Sequence, residues 1–72
     1  MEQHLPYNKL SDLPDSVRDH LPKHAQEIYQ AAYNSAFEQY DHEEERAHRV
    51  AWAAVKNDYE KDEKSGNWKK KD

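Results

Sequence analysis

Between Ala25 and Tyr40, apolar side chains fall at positions 25, 28, 29, 32, 33, 36, 37 and 40. Steps of three and one in alternation trace one broad stripe on an α-helix. Lys23, Gln26, Glu27, Gln30, Asn34, Glu38 and Gln39 fill the other face, so an amphipathic helix is expected over about 23–40. A short helix at about 14–20 is expected before it, because a Leu-Pro pair occurs twice, at Leu13-Pro14 and Leu21-Pro22. Proline suits the first helical position, where its missing N–H has no partner and its φ is already helical. Asp41-His42-Glu43-Glu44-Glu45 contains no apolar residue. The chain is expected to turn there, with Asp41 capping a third helix over about 43–60 and the glutamates in its first turn. Ala47, Val50, Ala51, Trp52, Ala54, Val55 and Tyr59 form the apolar side of that helix. Two helices joined by a tight turn run antiparallel, and the alanines permit close approach. The expected core is Ile28, Tyr29, Ala32, Ala36, Val50, Ala51, Ala54 and Val55.

The two chain ends do not share this periodicity. Residues 1–12 carry Pro6, Asn8, Ser11 and Asp12 and read as an extended entry segment. After Lys61 the chain is polar, with the single glycine, Gly66, ahead of Trp68 and Lys69-Lys70-Lys71. So large an apolar surface as an indole seeks burial. The expectation is that the segment around Tyr7 and Leu10 pairs with the segment around Trp68 as a small two-stranded β element. Tyr7, Leu10 and Trp68 would then cover one open side of the helices, a ribbon that is viable only when packed. The fold class expected is therefore mainly α, a compact array of one short and two long helices with that β element formed by the chain ends. One domain is expected over 1–72, ordered from about 7 to 68, with 1–5 and 69–72 flexible.

Composition narrows the function classes. Hydrophobic residues are 35% and charged residues 36% of the 72, a balance that alone would suggest disorder. Two tryptophans, five tyrosines and one phenylalanine, set at helical spacing, argue for a small folded domain. With no cysteine there is no disulfide, thiolate metal site or thiol nucleophile. No basic leader followed by an apolar run and no stretch of roughly 20 apolar residues occurs, so a cytoplasmic location is expected. The net charge of −4 is uneven: the last twelve residues, from Lys61 on, carry five lysines and three carboxylates, while the rest is acidic. Nucleic acid and anionic lipid would be repelled by the body and attracted only by the tail.

Ser11-Asp12-Leu13-Pro14-Asp15-Ser16-Val17, Leu21-Pro22-Lys23-His24-Ala25-Gln26-Glu27-Ile28-Tyr29 and Tyr33-Asn34-Ser35-Ala36-Phe37 together resemble the ChaB family. The run Ala47-His48-Arg49-Val50-Ala51-Trp52-Ala53-Ala54-Val55-Lys56 is similar to it as well, and so is a tail tryptophan followed by lysines. The resemblance covers roughly residues 7 to 71, with a shorter link between the long helices as one departure. It implies a small cytoplasmic protein of a kind described as a regulator of cation transport. It also implies a helical array with a small β element, and related domains occur beside nucleic-acid-associated modules.

Candidate chemistry is sparse. His20 and His24 are four apart but Pro22 starts a new helix between them, and His42 and His48, six apart, lie on different helix faces. Asp58-Tyr59-Glu60-Lys61-Asp62 opens like a calcium loop, yet Glu63 stands where glycine is needed and Lys69 where a bidentate glutamate is needed. No metal and no cofactor are expected. None of Ser11, Ser16, Ser35 and Ser65 sits in a glycine-rich elbow, so the chain is read as non-enzymatic. Tyr29, Tyr33, Phe37, Tyr40, Trp52 and Tyr59 could stack on bases, but their helical spacing reads first as core. The candidate partner-binding residues are Trp68, Lys69, Lys70 and Lys71 for something acidic, and Glu43, Glu44 and Glu45 for a basic partner. The expected activity is that of a monomeric regulator or adaptor. It would bind an unidentified protein partner, with the cytoplasmic face of a cation transporter as one candidate. The alternative is a nucleic-acid accessory domain using the Trp/Lys tail.

Overall fold

Each Leu-Pro pair does start a helix, the first one residue later than expected and the second at Lys23 as expected. The computed structural model describes residues 5–71. Pro14 and Pro22 are cap residues with extended ψ, and their carbonyls accept the first helical bonds, from Val17 and Arg18 and from Gln26. Helix α1 spans Asp15–Arg18, α2 Lys23–Gln39 and α3 Glu44–Asp58. A 3₁₀ turn, Leu10–Asp12, precedes them, and strands β1, Tyr59–Lys61, and β2, Trp68–Lys70, follow. The fold is mainly α, with two long helices, one short one and a two-stranded antiparallel sheet.

The α2–α3 turn differs from expectation. Asp41 does not cap α3; it and His42 are left-handed, at φ 59° and 64°, and they close α2 instead. The His42 N–H donates to Phe37 O at 2.8 Å, a six-to-one bond of the Schellman type. The His42 ring lies flat on Phe37 at 4.7 Å and 8°, supplying the apolar contact that accompanies such an ending. Glu43 becomes the cap residue of α3, and no side chain bonds to the free N–H groups there. Glu44 and Glu45 lie in the first turn, where the dipole favours carboxylates.

The core consists of Leu13, Val17 and Leu21 at the entry, Ala25, Tyr29, Tyr33 and Ala36 from α2, and Ala47, Ala51, Val55 and Tyr59. Residues 47, 51, 55 and 59 recur every four positions, so α3 and the strand residue after it present one narrow row to α2. Each fully buried aliphatic side chain, such as Val17 or Val55, contributes roughly 1.5–3 kcal/mol. Tyr29, Ala36, Ala51 and Val55 are buried as expected, while Ile28 and Ala32 are only partly buried against the cluster, and Ala54 is partly buried too. Val50 is a correction: it is 36% exposed. Adjacent helical residues are about 100° apart, so a row centred on Ala51 turns Val50 to its rim.

The chain ends depart further from expectation. The two strands pair Tyr59 with Lys70, Glu60 with Lys69 and Lys61 with Trp68, so both come from the C-terminal region. Closing this local hairpin costs less chain entropy than joining the two termini. Its turn is held by Gly66 N–H to Asp62 O, Asp62 N–H to Asn67 O and Lys64 N–H to Asp62 Oδ1, with Gly66 at φ 77°. The entry segment docks on α2 instead of forming a strand. Asn34 accepts the Tyr7 N–H through Oδ1 at 3.1 Å and donates from Nδ2 to Tyr7 O at 2.8 Å, and Gln30 donates to that same carbonyl at 3.0 Å. Asn34, expected on the solvent-facing side of the helix, is therefore 8% exposed. The expected flexibility of residues 1–4 and of 72 concerns positions outside those described.

Candidate partner-binding site

Three elements converge beside Trp68. On α3, Trp52 and Lys56 are four apart and share a face; on α1 and the turn after it, so do Ser16 and His20. The antiparallel register sets Lys61 directly opposite Trp68, on the same face of the ribbon as buried Tyr59. The Trp68 N–H donates to His20 O at 2.9 Å, tying the ribbon to the turn after α1, and the Lys71 N–H donates to Asp58 O at 2.9 Å, tying it to α3. Between these elements lies a cavity of about 350 Å³, open to solvent and lined by Ser16, His20, Trp52, Lys56, Lys61, Gly66 and Trp68. A neighbouring hollow shares Lys56, Lys61 and Trp68 and adds Tyr59, Glu60, Glu63 and Lys71.

The floor of this groove is held by a chain of rings. Trp68 packs on Trp52 at 5.2 Å, tilted by 32°, and Trp52 meets Tyr29 edge-on at 5.3 Å. Tyr29 stacks on Tyr33, which in turn touches Tyr7 at 4.7 Å. The indole N–H of Trp52 donates to His48 Nε2 at 3.1 Å, and His48 Nδ1 lies 2.6 Å from the Tyr29 hydroxyl. Because an indole nitrogen only donates, His48 carries its proton on Nδ1 and donates to Tyr29. Burial pushes the Tyr29 hydroxyl well above the ordinary phenol range and raises Tyr33 to about 12. The Tyr59 hydroxyl meets His24 Nδ1 at 3.1 Å, fastening the end of α3 to the start of α2.

The candidate residues of the sequence separate in space. Trp68 lines both hollows and Lys71 only the second; Lys69 sits opposite Glu60 on the outer face of the ribbon, and Lys70 pairs with Tyr59. Glu43, Glu44 and Glu45 are exposed at the far end of α3, roughly 22 Å away along a 15-residue helix. Ser16, His20, Trp52, Lys56 and Lys61 are site residues that sequence pattern did not mark as such. The spacing Trp52-x-x-x-Lys56 was the readable sign of one pair; the rest depends on how α1 and the ribbon pack. A third hollow on the outer side of α3 is lined by Tyr40, Arg46, Arg49, Val50 and Ala53, with the Arg46 guanidinium 4.8 Å above the Tyr40 ring. Among the described residues, no helix is long and apolar enough to cross a membrane.

The family model for ChaB matches residues 13–71. The chain belongs to the ChaB family. Curated relatives named "Putative cation transport regulator ChaB", from Escherichia coli (strain K12) and Shigella flexneri, are 49% identical over 76 residues. That likeness covers 93% of this chain and 99% of each relative. A solution NMR structure of a ChaB protein of the same name is 51% identical, covers 93% of this chain and all of that one, and superposes with a TM-score of 0.82. The elements that form the groove, α1, α3 and the C-terminal ribbon, all lie within the matched residues.

Proposed function

We propose that this chain is a non-catalytic regulator that acts by binding another protein in the cytoplasm. Its relatives are named as regulators of cation transport, and the partner in this reading is the cytoplasmic face of a cation transporter. The observation that carries the reading is the groove at Trp68: a tryptophan pair held in place by backbone bonds, open on one side and rimmed by lysines from two elements. Tryptophan with a surrounding of flexible charge is the composition of interface anchors. Nucleic acid is the competing partner, favoured by lysines beside an aromatic residue. It fits less well, because the two indoles pack on each other.

The test is cation flux in inverted membrane vesicles of a host that encodes the chain, measured with and without added protein, together with capture of membrane proteins on the immobilised chain. The expected result is a changed flux and retention of a transporter that declines as salt rises, since rim charges are screened. Unchanged flux with nothing specifically retained overturns the reading.

A further inference from the structure

We infer that the Trp52–Trp68 groove is a carboxylate-binding site that takes an acidic segment of the partner protein, with Lys56 and Lys61 as its charged contacts. The chain has 15 carboxylate side chains and 11 basic ones, yet none of the seven residues lining the Trp52–Trp68 cavity is acidic, Glu60 and Glu63 lining the neighbouring hollow instead. Lys56 and Lys61 both line it, and neither joins an ion pair among the described residues, where the one such pair is Arg18 with Asp15. One lysine is fixed on α3 and the other on β1, so two lysines reach the cavity from separate backbones. Ser16 adds a hydroxyl that can donate to an anion from the third side, while His20 Nδ1 is directed at Asn67 Oδ1 at 3.3 Å. The indoles supply an apolar floor for a neighbouring aliphatic side chain. A volume of about 350 Å³ is at the small end of ligand pockets, which suits one or two side chains of a docked segment.

Charge and ring geometry separate this ligand from nucleic acid. From Lys56 to Lys71 there are six lysines and four carboxylates, and the rest of the chain is negative. Affinity for a polyphosphate backbone grows with the number of phosphates neutralised, and this surface can neutralise few. Base stacking requires an open ring face, whereas Trp52 and Trp68 pack on each other at 5.2 Å and Tyr29 meets Trp52 edge-on at 5.3 Å. A short acidic segment needs only the two lysines.

The inference rests on the protein-binding reading above, and its experiment can fail separately. Trp52 and Trp68 are the chain's only tryptophans and both line the groove, so intrinsic fluorescence reports its occupancy. The full chain is titrated with an acetylated, amidated hexapeptide of four glutamates and two leucines, with the same peptide carrying lysines for glutamates, and with a deoxythymidine decamer. The expected result is a saturable change with the acidic peptide alone, weakened about tenfold or more in the Lys56→Glu/Lys61→Glu double variant. The Lys56→Arg/Lys61→Arg variant should retain it, which separates charge from a general disturbance of the fold. No saturable change with the acidic peptide, equal binding by the charge-reversed variant, or preference for the decamer overturns the inference. If a transporter is still retained on the immobilised chain in that case, the protein-binding reading stands and uses another surface.

Discussion

The two ends of α3 are built on opposite principles. At its start, Glu43, Glu44 and Glu45 stand exposed with no side-chain cap, and what orders them is the field of the helix and the turn before it. At its finish the chain continues into a ribbon anchored by buried Tyr59, by Trp68 against Trp52 and by backbone bonds to the turn after α1 and to α3. One end rests on the helix field and the turn before it, the other on packing. The contrast explains why a binding site can be read at the packed end. A groove holds its geometry only where its walls are held by more than solvated charge.

The most severe way to break the packed end is Tyr59→Ala. It removes a buried ring and its contact with His24, and should lower stability by about 3–4 kcal/mol. Trp68→Ala, at a half-buried ring, should cost about 2 kcal/mol. Urea unfolding at high and low salt would measure both, with losses that salt does not change. Wild-type stability in either variant would mean that the ribbon is not packed on the helices.

A smaller effect comes from pH. Burial raises the Tyr33 hydroxyl from 10.0 to about 12, so the folded state holds that proton more tightly than the unfolded chain. Its contribution is complete below about pH 10 and is lost as pH rises through about 12. Tyr29, shifted in the same direction, adds to the loss. Denaturation midpoints compared at about pH 9 and pH 11.5 test this, and equal midpoints would show that these rings are hydrated.

The smallest effect belongs to the acidic end. Replacing Glu44 and Glu45 by glutamine should cost only about 0.3–1 kcal/mol each, and the loss should shrink as salt screens the helix field. A loss of several kcal/mol that persists at high salt would assign these glutamates a packing role and erase the contrast between the ends.

Much of the scaffold was legible in local pattern. The steps of three and one from Ala25 to Tyr40 marked α2, and the two Leu-Pro pairs marked the starts of α1 and α2 to within one residue. The burial of an indole in a polar tail was readable because so large an apolar surface rarely stays in water. The site was legible only in part. Trp68 and Lys71 line its hollows, but Lys69 and Lys70, between them in sequence, do not. Lys69 points to the other side of the ribbon from Trp68, as successive strand residues do, and Lys70 lies across from Tyr59, away from Lys61.

Local pattern alone settles where helices form, that the chain turns at 41–43, and the order in which the ChaB-type helices follow one another. Those properties depend on residues within a few positions of each other, through periodicity, proline geometry and turn chemistry. Packing between elements settles the rest. It buries Asn34 against the Tyr7 backbone, faces Val50 outward, and pairs the tail with Tyr59–Lys61 instead of the entry segment. It also brings His20, Lys56 and Lys61 around Trp68. Periodicity gives the width of an apolar stripe but not its centre. The centre, and with it every contact across elements, follows from which partners pack on the stripe.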